Sequence, residues 1–195
     1  MLPNEVLIVV RWFHFLAGIT WIGLLYWFNL VNVNFMKSLD ATTRPVVVPA
    51  LLPRALFWFR HSAWVTVLVG FVLVYGLYWQ TNRIDLVNDN GFKTIFSGML
   101  LGLVMLFNVW MIIWPNQRRV FAALAAGEAP DPAWARNTLY ASRANVTLSF
   151  PMLFFMGSAS HFPLDWPQIV LVAVVAGAIG LSAVLYVQKW AAARF

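Results

Sequence analysis

The sequence contains no cysteine. That single absence removes disulfides, thiolate metal sites, iron–sulfur clusters and covalently attached c-type haem, whose motif is Cys-x-x-Cys-His. Any redox group must then be held without a covalent link, through histidine or methionine. Charge is scarce as well. Only 10% of residues are charged and 62% are hydrophobic, with a mean hydropathy of +0.75, where a soluble domain carries about a quarter charged residues. The composition is that of a small integral membrane protein. The seven acidic residues fall outside the apolar runs, which leaves no carboxylate to relay protons within the bilayer and disfavours a proton-coupled transporter. The net charge of +6 sits in connectors. It therefore reports orientation and lipid headgroups, with no nucleic-acid partner expected.

Five apolar runs are long enough to cross a bilayer at about 20 residues each. They predict an all-α bundle of about five transmembrane helices forming one domain over residues 1–195. The spans are expected at Val6–Phe35, Leu56–Trp79, Thr94–Trp114, Ala141–Ser160 and Gln168–Trp190. The first run is too long for a cleavable signal peptide and has Glu5 ahead of it. Pro45, Pro49 and Pro53 argue against a continuous helix through the connector Met36–Pro53. Asn90-Gly91 reads as a turn ending a polar loop. Pro115 is expected to stop the third span, with a separate short helix at Gln117–Ala126. Lysine and arginine concentrate after the first and third spans and at the C-terminus. The positive-inside rule then sets the N-terminus in the periplasm and the C-terminus in the cytoplasm of a bacterial inner membrane. Gly98-x-x-x-Gly102 and Gly177 with Gly180 read as helix-packing faces.

One stretch, Arg11 to Tyr26, gathers chemistry near the start of the first span. At 3.6 residues per turn, His14 shares a face with Arg11, Ala17 and Gly18, and Trp21 follows a turn later. A haem needs an imidazole for its iron, a gap beside the backbone for its ring and a cation for its propionates. This face offers all three. His161 ends the fourth span on the same side of the membrane, with Gly157 and Ser158 one turn before it. A non-covalent haem b between His14 and His161, with Arg11 near a propionate, is the sharp hypothesis. The plain alternatives are a histidine hydrogen-bonded to a neighbouring helix, and a capping role for His161. Met152 or Met156 is a substitute axial ligand. His61, flanked by Trp58 and Trp64, is expected about 20 Å or more from His14, as a structural residue or the ligand of a second haem.

Three of these stretches also resemble a known family. Arg11 to Tyr26, Phe107 to Gln117, and Ser142 to Met156 with Ser160-His-Phe-Pro163 are similar to the membrane domain of the urate hydroxylase PuuD family. The first span is more distantly similar to the membrane-type protoporphyrinogen oxidases. Fuller PuuD members carry a cytochrome c domain after the membrane part and oxidise urate, passing electrons to the respiratory chain. No Cys-x-x-Cys-His follows here, so the resemblance implies that electrons leave through a separate cytochrome or partner subunit. The expected role is electron transfer by haem b in a urate-oxidase-like or respiratory context, because two histidine ligands leave no open iron position. The competing reading is a haem-free accessory subunit of a larger membrane complex.

Overall fold

The computed structural model describes residues 1–187 and 189–190. Five long helices run up and down: α1 (Asn4–Ser38), α2 (Arg44–Trp79), α3 (Asn90–Ala125), α4 (Pro132–Ser158) and α5 (Trp166–Tyr186). All but α4 are long and apolar enough to cross a membrane. Helix α4 covers the fourth expected span but begins nine residues earlier, with Arg136 and Arg143 in its lower half. Its lower hydropathy follows from its place in the bundle, where it packs on α1, α3 and α5. The stripe Ala141, Asn145, Ser149, Met152, Phe155 is buried at helical spacing. Polar residues on that stripe bond to other helices instead of meeting lipid. The fifth expected span includes Gln188, and the C-terminal Arg194 used for orientation follows it; both lie outside the described residues.

Short connectors make neighbours antiparallel, which gives the bundle an upper end and a lower end. The upper end holds Pro3, the loop between α2 and α3 and the turn between α4 and α5. The lower end holds the other two connectors. Starts are fixed by aspartates that cap free amides: Asp89 accepts from Phe92 N at 2.9 Å, Asp131 from Ala133 N, and Asp165 from Gln168 N within a capping box. Gly127, at φ 73°, follows α3 in the left-handed conformation that ends helices.

Three expectations are corrected here. Helix α2 runs unbroken from Arg44 through all three prolines. Pro45 occupies the first turn, where no amide is needed. Pro49 and Pro53 follow at four-residue intervals on one exposed face, where the Arg54 side chain donates to the Ala50 carbonyl one turn back. Helix α3 likewise passes through Pro115 and absorbs the short helix expected after it. A π turn at Asn108–Ile113 precedes the proline, and the Ile112 carbonyl accepts from Asn116 Nδ2 at 2.8 Å. Asn90-Gly91 is the first turn of α3, capped by Asp89, and no hairpin-like turn. Each of the four apolar helices carries one π turn, the others at Trp27–Asn32, Tyr75–Trp79 and Ala183–Val187.

The core joins Trp21 and Leu25 of α1, Phe59 and Ala63 of α2, Met105 and Val109 of α3 and Val146 of α4. Gly98 and Gly180 are true packing positions. A Cβ on Gly180 would stand 2.9 Å from the Thr147 carbonyl oxygen, and one on Gly98 would stand 3.1 Å from Phe155 Cβ. Gly102 and Gly177, expected to do the same, have nothing within 4 Å of that position.

Candidate functional site

His14 lies half-buried against α2, and its Nδ1 makes a 2.9 Å hydrogen bond with the Thr66 carbonyl oxygen. A carbonyl only accepts, so Nδ1 carries the proton and Nε2 keeps a free lone pair. That arrangement fixes the tautomer and orientation of an imidazole ready to bind a metal. The Thr66 hydroxyl turns back within its own helix to Ser62 O at 2.7 Å. Gly70, one turn along, admits the ring: its Cβ would stand 3.2 Å from His14 Cε1. Thr66 and Gly70 were not singled out from the sequence as a slot for His14. The signal was a Thr-x-x-x-Gly pair in the second span, legible only once the facing helix is known.

The other residues of the first-span face divide. Arg11 is half-buried, and its charge reaches Tyr78 on α2. A Cβ on Gly18 would stand 3.8 Å from Thr66 Cγ2, an ordinary contact, so α2 covers this part of the small-residue notch. Ala17 beside it is half-buried. Trp21 is 1% exposed, and its indole N–H has no partner.

His161 lies in the exposed turn after α4, its amide bonded to Ser158 O at 3.0 Å. Gly157 is exposed and opens onto free space, whereas Ser158 is buried with an unpartnered hydroxyl. Two hydrogen bonds set the register of α1 against α4: Tyr26 OH with Ser149 Oγ at 3.0 Å, and Asn29 Nδ2 to Ser142 Oγ at 2.7 Å. Continuing that antiparallel register brings His14 level with the end of α4 near Ser158. The structure thus puts both histidines in the upper half of the bundle, His14 against α2 and His161 in its turn. Met152 is buried in the core and Met156 packs at Gly98.

His61 falls near the middle of α2, five residues from Thr66. Its axial offset from the His14 contact is therefore ~7.5 Å at 1.5 Å per residue, against the 20 Å or more expected. The early start of α2 accounts for the difference. His61 Nδ1 bonds its own helix at Phe57 O (2.7 Å), and Arg60 Nη2 approaches Nε2 at 3.3 Å.

Above these residues runs the loop 80–89, held by its own polar contacts. Arg83 grips Asp89 with two hydrogen bonds, of 2.7 and 3.1 Å. Partial burial works against the ionised Asp89, but Arg83 and the Phe92 amide outweigh it and hold the carboxyl below its usual range. Arg83, Asp85, Asn88 and Pro163 line an open cleft of about 460 Å³ beside the turn that carries His161. Among the described residues, no three His, Asp or Glu side chains converge on a metal-sized site.

The model of one family, described as urate oxidase N-terminal, matches residues 93–194, just over half of the chain. The chain belongs to the urate oxidase N-terminal family. The matched region holds α3, α4, α5 and His161, while His14 and α2 precede it. A comparison with curated proteins finds no match, and one with solved structures finds none either. Membership supports a urate-related redox role.

Proposed function

We propose that this member of the urate oxidase N-terminal family is a membrane-embedded redox protein of a bacterial inner membrane that holds haem b through His14. The observation that carries the reading is the His14 hydrogen bond to Thr66 O, which commits Nδ1 and leaves Nε2 as a ligand in a low-dielectric setting. Two further observations fit the same group. Trp21 Nε1 and Ser158 Oγ are buried polar atoms without partners, the kind of orphan that a bound group with acceptor and donor edges satisfies.

When bound, haem b supplies reversible one-electron transfer at a potential set by its axial ligands and surroundings. His14 would supply one ligand and His161 the second, with Met152 or Met156 as substitutes. Arg11 would neutralise a propionate, and Ala17 and Gly157 would give the ring access to the backbone. Phe155 and Leu25 exclude water from the neighbouring core. The redox partner is a separate cytochrome or another subunit of a larger complex, and the substrate context is urate oxidation. The periplasmic N-terminus and cytoplasmic C-terminus are part of the same proposal, resting on the distribution of lysine and arginine.

The test is a dithionite-reduced minus oxidised absorbance spectrum of the purified protein, with a pyridine haemochrome assay, on wild type, His14→Ala and His161→Ala. A b-type spectrum lost in both variants supports the paired site. Loss in His14→Ala alone keeps the haem and moves the second ligand elsewhere. A folded wild type without haem overturns the proposal and leaves the accessory subunit. Urate-driven reduction of the Soret band in membranes tests the substrate separately.

A further inference from the structure

Near the middle of α2, Arg60 lies over two indoles of α3. Its guanidinium carbon stands 3.8 Å from the Trp114 ring centroid and 5.2 Å from that of Trp110. Stacking of this kind orients the cation but leaves its N–H edge free. Arg60 Nε is buried with no hydrogen-bond partner, and its Nη2 meets only His61 Nε2, at 3.3 Å. Arg118 is close enough to act on Arg60 by like-charge repulsion. Among the described residues, neither arginine has an ion-pair partner. A half-buried cation with no counter-ion and an exposed like charge nearby is stabilised when an anion joins the two.

Depth and surroundings say which anion. From Trp79 to Arg60 is an apolar stretch of 19 residues, which spans ~28 Å at 1.5 Å per residue and matches a hydrocarbon core of about 30 Å. Arg60 is therefore level with the headgroups if the bundle spans a bilayer. Directly below the His61 ring, stacked on it at 4.2 Å, Phe57 opens a cleft of about 530 Å³ lined by Pro49, Pro53, Arg54 and Trp58. Phe57 and Trp58 are 50% and 62% exposed, an apolar wall beside a cationic pocket.

We infer that Arg60, Arg118 and the Trp110–Trp114 pair form a binding site for the phosphodiester of an anionic phospholipid, with the Phe57–Trp58 cleft taking its glycerol and upper acyl chains. Headgroup oxygens would accept from the exposed Arg118 guanidinium and the outer N–H groups of Arg60, and His61 Nε2 would stay on the Arg60 Nη2 side. The inference rests on the bilayer reading proposed above.

Flotation with liposomes and native mass spectrometry test the two claims apart. The protein is reconstituted into phosphatidylcholine liposomes with or without phosphatidylglycerol, then released in detergent and weighed with its retained lipid. The expected result is insertion into both and selective retention of one phosphatidylglycerol. Each cation contributes about 1 kcal/mol near a membrane surface, so Arg60→Gln and Arg118→Gln should each weaken retention about fivefold. Arg60→Lys keeps the charge but loses the stacked fork and should recover only part of it. Circular dichroism on each variant guards against misfolding. Insertion into both liposomes with no preference for the anionic lipid overturns the site alone. Displacement of the lipid by millimolar inorganic phosphate overturns it in favour of a soluble oxyanion. Failure to insert into either overturns the bilayer reading with it.

Discussion

Single atoms decide most of what is distinctive in this bundle. Gly180 lets the α5 backbone meet Thr147 of α4, where a methyl group has no room to move the carbonyl aside. Gly180→Ala should lower stability in detergent by about 1–3 kcal/mol, the usual range for overpacking. Gly102→Ala, with nothing near its Cβ, should leave melting unchanged or raise it slightly, since alanine favours helix. A thermal melt of both variants checks the pair. The sequence showed both glycine pairs but not which member touches a neighbour, because spacing fixes a face and not its distance from the next helix. His14 was legible as a candidate for the same reason, whereas its Thr66–Gly70 slot belongs to another helix. In the connector between α1 and α2, the Thr42 hydroxyl, both Thr43 donors and the Thr42 amide converge on Asp40 and hold its carboxyl down to about 2, from an ordinary 3.8. A depressed carboxylate contributes stability above its unfolded value and loses it as pH falls through the folded one. The Asp40 turn should therefore persist at pH 4 and open near pH 2. An NMR titration that placed the Asp40 midpoint near 4 would show that the turn is not formed in solution.

Between helices, the polar contacts of α4 set the register. Asn108 Nδ2 donates to Asn145 Oδ1 at 2.7 Å, and Asn145 Nδ2 donates to Met105 O at 3.0 Å, both at the entry to the α3 π turn. Asn145 is fully buried. Asn145→Leu strands the Asn108 donor and the extra carbonyl bond together, and should destabilise the α3–α4 pair by about 1–3 kcal/mol. Asn108→Leu combined with it should recover part of that loss, because the stranded Asn108 donor is removed as well. A double-mutant cycle of unfolding measurements reads the coupling. The number of long helices was legible from apolar runs, yet their ends were not. Prolines in sequence stand for missing amides, and here a first turn, an exposed face and a π turn each supply a place where the amide is not needed. Helix α4 was legible for a similar reason in reverse: its apolar half announced it, while its Arg-bearing half only continues because neighbours cover its polar stripe.

At the scale of the whole molecule, α1, α2 and α3 have 35, 36 and 36 residues, or ~54 Å for each of the longer two. That exceeds a hydrocarbon core of about 30 Å, so a bilayer centred between Trp79 and Arg60 leaves their lower ends standing in water as a helical stub. Because the chain contains no native cysteine, single cysteines at Val87 in the upper loop and at Ala129 in the lower connector label without background. In oriented vesicles, membrane-impermeant maleimide should reach Val87→Cys from the periplasmic face and Ala129→Cys only after permeabilisation. The reverse pattern would invert the assignment. The π turns bear on how such a bundle tolerates change in length. Each places one residue more than an α-helix would in its turn, so removing a residue from Trp27–Asn32 or Asn108–Ile113 restores ordinary winding and leaves everything below it in phase. A residue removed from the regular α-helix on either side instead rotates the rest by ~100°. Lipid-facing side chains would then swing towards neighbours, and Arg118 away from Arg60. The Tyr75–Trp79 turn ends its helix, and a deletion there redirects only a loop. In-frame losses of one codon should accordingly be accepted within the π turns and rejected in the regular stretches of α1 and α3.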